Sequence, residues 1–134
     1  MAFEFISEGP KGKIPKVVIY SETNLKGFYN LGFGDKNEET GKIDDNVVTN
    51  NDDSLKVLAT VAATVYAFTD KNPEYWVFAS GVTESRTRLY RIGITNNLKE
   101  IEKDFEVYGL VDDVWVKFKK GTEYRAFLVK RKTN

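Results

Sequence analysis

The chain contains no histidine and no cysteine. The second absence excludes a disulfide framework, thiolate zinc sites and cysteine nucleophiles. The first removes the ordinary general base near neutral pH and the commonest metal ligand. Catalysis would have to rest on carboxylates, lysine, tyrosine or arginine, and a metal would be a hard cation held by oxygen. Prolines number only three, so few positions interrupt a strand. No apolar run approaches the roughly 20 residues that span a bilayer. The opening Met-Ala-Phe-Glu-Phe has neither a basic n-region nor a cleavage site, and the sequence therefore predicts a cytoplasmic protein without a membrane segment.

What is present reads as one α+β domain over residues 1–134, long enough to bury a single core. Seven tyrosines, nine phenylalanines and two tryptophans favour strands with aromatic packing. Net charge is zero but unevenly spread. Residues 1–53 carry six lysines and ten acids, whereas residues 54–134 carry nine lysines, all five arginines and ten acids. That dipolar distribution suits a self-complementary contact or an acidic partner better than generic coating of nucleic acid, which needs net positive charge.

Phe3 to Ser7 alternates apolar and polar residues as a half-buried strand does. Gly9-Pro10-Lys11-Gly12-Lys13 lacks the Walker spacing and a following helix, so it is a hairpin turn rather than a phosphate loop. Ile14–Glu22 and Phe28–Gly34 are the next strands, and the glycines at 32 and 34 imply a bulge or a close approach. Val47-Val48 offers a short fourth strand. A helix from about Asp53 to Asp70 is apolar around most of its circumference, which buries it against the sheet. Tyr75–Ala79 is apolar at every position and predicts a central strand. A second helix opens near Thr83. Its residues Tyr90, Ile94, Leu98, Ile101 and Phe105 form one stripe, weakened in the middle by Gly93 and Asn96-Asn97. Glu106–Leu110, Val114–Phe118 and Glu123–Lys130 close the order βββ(β)αβαβββ, a mostly antiparallel curved sheet with two helices.

Two segments carry candidate chemistry. Gly81, Thr83, Ser85, Arg86, Arg88 and Arg91 lie where a strand opens into a helix. Helix N-termini present unpaired N–H groups that attract anions, and arginine in a first turn opposes the macrodipole. The competing structural reading pairs these arginines with Glu84 and neighbouring acids and leaves Thr83 as the cap. The loop DKNEETGKIDD supplies Asp35, Glu39, Asp44 and Asp45 as oxygen donors for Mg²⁺ or Ca²⁺, but it fails the EF-hand spacing at both the glycine and the twelfth position. Tyr20, Tyr29, Tyr108 and Trp115 sit on strands, where aromatics either fill a core or stack bases.

The segments GDKNEETGKIDD, KVLATVAATVYAFT and GVTESRTRLYR together resemble a family of short bacterial proteins with no established activity. Residues 3–70, read as ββββα, are similar in architecture to one repeat of the single-stranded nucleic-acid binders of the Pur-alpha and Whirly type. That similarity implies a fold and little more. The expected function is binding without catalysis or a cofactor. The ligand would be a phosphate-bearing molecule, either a nucleotide or single-stranded nucleic acid, held at the arginine-rich helix start. The alternatives are a phosphoesterase in which Arg86 stabilises charge beside an acidic-loop Mg²⁺, and a homodimer or protein-partner module.

Overall fold

Side chains alternate across a strand, so the pairing register decides which residues share a face. In the computed structural model, which describes residues 1–44, 53–80 and 84–132, the first strands form a meander. β1 (Ala2–Gly9), β2 (Gly12–Glu22) and β3 (Phe28–Asp35) are antiparallel neighbours. Gly9 pairs with Gly12 across a two-residue turn, and Gly12 takes φ +90°, a conformation that favours glycine. The register places Phe3, Phe5, Val18, Tyr20, Leu31 and Phe33 on one face, and that face is the core.

α1 (Ser54–Lys71) covers it. Val57, Val61 and Phe68 are buried there, and Phe68 stacks on Tyr20 with centroids 4.3 Å apart. The Asp53 side chain makes no capping bond. Instead its carboxylate accepts the Ser7 hydroxyl at 2.7 Å, which ties the helix start to β1. At the other end Arg131 secures the last turn. Its Nε donates to Thr69 Oγ1 at 2.9 Å and its Nη2 to the Tyr66 carbonyl at 3.2 Å, while Asp70 is its ion-pair partner. A guanidinium near a helix C-terminus complements the dipole.

β4 (Trp76–Ala79) runs parallel to β3. The next expected helix is two: α2 (Glu84–Asn96) and α3 (Leu98–Asp104). The break falls at the Asn96-Asn97 weak point. Asn97 donates its side-chain amide to the Gly93 carbonyl at 2.9 Å and its own carbonyl accepts from Ile101 at 2.9 Å, so one residue ends α2 and starts α3. The expected stripe survives the break, with Tyr90 and Leu98 buried. β5 (Phe105–Val111), β6 (Val114–Lys117) and β7 (Phe127–Arg131) complete a sheet ordered β1-β2-β3-β4-β7-β5-β6. Only the β3–β4 pair is parallel, so the α+β class and the mostly antiparallel sheet hold. β4 is its middle strand, as the apolar run predicted. The Val47-Val48 strand lies outside the described residues. No helix among the described residues is long and apolar enough to cross a membrane.

The last strand begins later than expected, at Phe127 rather than Glu123. Arg125 N–H donates to the Leu110 carbonyl at 2.9 Å, and Leu110 N–H donates to Ala126 at 3.0 Å. Two residues thus oppose one, which is a β-bulge. It shifts the alternation so that Tyr124 is buried and Arg125 exposed.

Candidate functional site

The arginine-bearing start of α2 divides between two environments. Positions 86 and 88 lie about 200° apart around a helix. Arg86 is buried, with its Nη2 3.2 Å from where a Cβ of Gly34 would stand. Ser85 and Arg88 are exposed on the other side. Arg91 leans toward Glu123, 3.7 Å away. Gly81 and Thr83 lie outside the described residues. Arg86 thus lies at the end of β3, three residues beyond Leu31↔Ala79, the last β3–β4 pair. Nearby, Lys16 and Asp35 pair across β2 and β3 in a buried salt bridge. Burial pushes the Tyr90 hydroxyl up to about 12, and the neighbouring guanidinium of Arg86 draws it down. The result is a buried polar cluster at one end of the sheet, with the exposed Arg88 turned away from it.

The acidic loop is a small hairpin. Lys36 bridges Ile43, and the Asn37 side-chain oxygen accepts from Glu39 N–H at 2.9 Å and Thr40 N–H at 3.2 Å. Asp35 is buried against Lys16, Glu39 is exposed, Asp44 is half-buried, and Asp45 lies outside the described residues. No three acids among the described residues come together to hold a metal ion. The loop instead places Ile43 over the two β3 glycines. A Cβ at Gly32 or Gly34 would stand 2.9 or 2.8 Å from Ile43, so these glycines mark a close approach rather than a bulge.

The four strand aromatics also separate. Tyr20 and Tyr29 belong to the helix-covered core. Tyr108 and Trp115 lie on the opposite face, which no helix among the described residues covers. Two rows cross that face. Phe28, Trp76, Lys130 and Glu106 are successive partners on β3, β4, β7 and β5. Asn30, Phe78, Leu128, Tyr108 and Lys117 form the next row, reaching β6. Phe28 stacks on Trp76 at 5.6 Å, Trp76 lies 5.9 Å from Tyr108, and Phe78 meets Trp115 edge-on at 5.8 Å. Lys130 Nζ stands 5.9 Å over the Trp76 ring. These rings are half-buried, except Trp115, which is 38% exposed. Residues 114–132, which supply β6 and β7, hold seven basic residues and one acid. An aromatic face edged by lysine combines π-surfaces with cations.

Tyr108 and Trp115 were readable as candidates from the sequence, but Phe28, Trp76 and Phe78 were missed. Their signal lay in Tyr75–Ala79, apolar at both parities. Such a run suits a strand buried on both faces. Here Val77 faces the core, while Trp76 and Phe78 face outward.

The chain belongs to a family of unknown function (DUF6934), whose model matches residues 1–132. No curated protein and no solved structure matches it, and the comparisons do not show the Pur-alpha or Whirly likeness.

Proposed function

We propose that this member of the family is a non-enzymatic protein that binds single-stranded nucleic acid on the open face of β4, β7, β5 and β6. The observation that carries the proposal is the run of ring contacts Phe28–Trp76–Tyr108 across two rows, with Lys130 over its central ring and Lys117 beside Tyr108. Every base offers a π-face, so stacking is tolerant of sequence, and lysines track the backbone. Zero net charge means that attraction must be local, and Lys117 and Lys130 on this face supply it.

Both tryptophans of the chain lie on this face, so intrinsic fluorescence reports on it directly. Titration with a single-stranded oligonucleotide is expected to quench that fluorescence saturably, and a duplex of the same sequence is not. Trp115→Ala is expected to weaken binding by roughly 1–3 kcal/mol. Lys130→Gln is expected to flatten the dependence of log K on log salt by about 0.7. Unchanged fluorescence at low salt would end the proposal. Chemical shifts confined to Ser85 and Arg88 would instead move the anion to the start of α2.

A second reading rests on β6, whose four residues are all exposed at the edge of the sheet. Val114 and Val116 are 57% and 36% exposed. Phe118 N–H bonds the Val107 carbonyl, so the backbone groups of Trp115 and Lys117 point to the open edge. Two-fold antiparallel pairing through those groups would set Asp113 of one copy against Lys117 or Lys119 of the other. Light scattering is then expected to show a dimer that dissociates as salt rises. The Val114→Lys/Val116→Lys double variant should be monomeric, because edge lysines block strand addition. A wild-type monomer at millimolar concentration would dispose of this contact.

A further inference from the structure

Beyond the end of β6 the sheet borders a cleft of about 120 Å³. Pairing between β5 and β6 stops at Tyr108↔Lys117. One residue further, Phe118 N–H still reaches the Val107 carbonyl at 3.0 Å, but Lys119 N–H turns to the Tyr124 hydroxyl at 3.0 Å. From Val107 back to Phe105, β5 is therefore the edge of the sheet. The cleft lies along that edge, and Glu102, Glu106, Tyr108, Lys117 and Lys132 line it.

Three features distinguish it from a solvated groove. The first is its charge. Two glutamates and two lysines share the cleft, yet none of the four forms an ion pair among the described residues. Opposite charges that line one cleft without meeting offer a guest both acceptors and donors. The second is the main chain. Val107 faces the core and so borders the cleft through its backbone. The N–H and C=O of a residue in an antiparallel strand point to the same side. The Val107 N–H therefore turns toward the open edge, where no backbone carbonyl among the described residues meets it. The third is Tyr108. It is half-buried and lies 5.9 Å from Trp76, so the cleft has a stacking wall continuous with the aromatic face.

We propose that this cleft is a base-reading subsite of the open face and that it selects guanine. The inference rests on the nucleic-acid reading above and adds a preference at one position to otherwise sequence-tolerant stacking. An ionised carboxylate only accepts hydrogen bonds, and an ammonium only donates them. Single-stranded bases expose their Watson–Crick edges to such groups. Guanine alone among the common bases carries two adjacent donors there, N1–H and the N2 amine. Its O6 and N7 are both acceptors, the pair that lysine reads. Adenine and cytosine set an acceptor nitrogen beside their amine, and thymine flanks its one N–H with carbonyls. A carboxylate is repelled by each of those acceptors. Glu106, the partner of Lys130 across β5 and β7, takes the donor edge. Lys117 takes O6 and N7, with the Val107 N–H a further donor on that side. Tyr108 supplies the stack.

The test follows tryptophan fluorescence of the full chain during titration with thymidine decamers. One is plain, and the others carry a single central guanine, adenine, cytosine or hypoxanthine. The guanine decamer is expected to bind about ten-fold tighter than the adenine or cytosine one, the discrimination of one bidentate contact. Hypoxanthine lacks the N2 amine and should fall between. Glu106→Gln should erase the advantage of guanine, while affinity for the plain decamer holds or rises because a negative charge has left the face. Equal affinity for all the decamers would overturn the guanine subsite and leave the nucleic-acid face standing. If no decamer binds, the reading of the face fails, and guanosine monophosphate decides for the cleft. Saturable shifts of the Val107 and Lys117 amides that adenosine monophosphate does not cause would keep the guanine site, and their absence would overturn it.

Discussion

Lys16→Met is expected to remove about 3–5 kcal/mol of stability, although methionine matches the lysine stem in length and is more apolar. Lys16 and Asp35 are both more than nine-tenths buried and face each other across β2 and β3. Deleting one partner takes from the other buried charge the ion it faces across the strands, and that penalty exceeds what the pair itself contributes. The double variant Lys16→Met/Asp35→Val removes both charges and should recover most of the loss. Urea unfolding measures this directly, as a fall in the midpoint at constant slope for the single variant and its restoration in the double. If the single variant loses less than about 1 kcal/mol, or the double is no better, the pair is not a desolvated one. Arg86 packs beside the same corner, against Gly34. A charge left over at Asp35 should therefore disturb the start of α2, and amide exchange in Arg86–Tyr90 is where it would show first.

The local features of this fold were legible because they depend on neighbours in sequence. Periodicity located α1 and its buried circumference, and alternation located β1, β2 and β3. The Asn96-Asn97 weakness marked the point at which one helix becomes two. What eluded sequence reasoning depends on partners far along the chain. β7 inserts between β4 and β5, and only that insertion brings Lys130 over Trp76. Alternation divides β4 into Trp76/Phe78 and Val77/Ala79, but it does not say which pair the helices cover. The same gap hid what surrounds Arg86 at its inward turn. Its place on the Tyr90 stripe was readable, whereas Gly34 and the Lys16–Asp35 pair as its surroundings were not. The bulge at Arg125 and Ala126 was hidden too, since it exists only opposite Leu110.

The candidate site follows the same division. Its chemistry was announced as arginine and hydroxyls at one helix start and carboxylates in one loop. The structure puts Asp35 in a buried ion pair with Lys16 and Arg86 in a buried corner. The outward aromatics of β3, β4, β5 and β6 lie on the sheet face that no helix among the described residues covers. An ordinary protein keeps large contiguous apolar patches away from water. Five rings on a sheet face that no helix among the described residues covers, with Lys130 over Trp76 and Lys117 beside Tyr108, are the observation on which the proposed partner rests.

Gly109→Ala is expected to destabilise the protein by about 3 kcal/mol, at the upper end for a single added methyl. That is a fall of roughly 10 °C in Tm for a domain of this size. Gly109 stands in the middle of β5, where alanine is normally the better residue, and propensity alone predicts a gain. The opposite sign comes from Tyr124. The bulge turns its ring flat onto Gly109, so that a Cβ there would overlap Cγ, Cδ1 and Cε1 of the ring. The ring cannot simply swing aside. Its hydroxyl accepts the Lys119 N–H at 3.0 Å, and it packs against Phe118 at 5.2 Å and Phe127 at 6.2 Å. The clash must therefore pass into the β6–β7 connection and the core beneath it. Tyr124→Ala alone should also be costly, because it empties that position. In the Tyr124→Ala background, however, Gly109→Ala should become neutral or favourable. The coupling between the two sites, read from thermal unfolding of the four proteins, should be about 2–3 kcal/mol. Additive effects would mean that Gly109 is needed for some other reason than the ring above it.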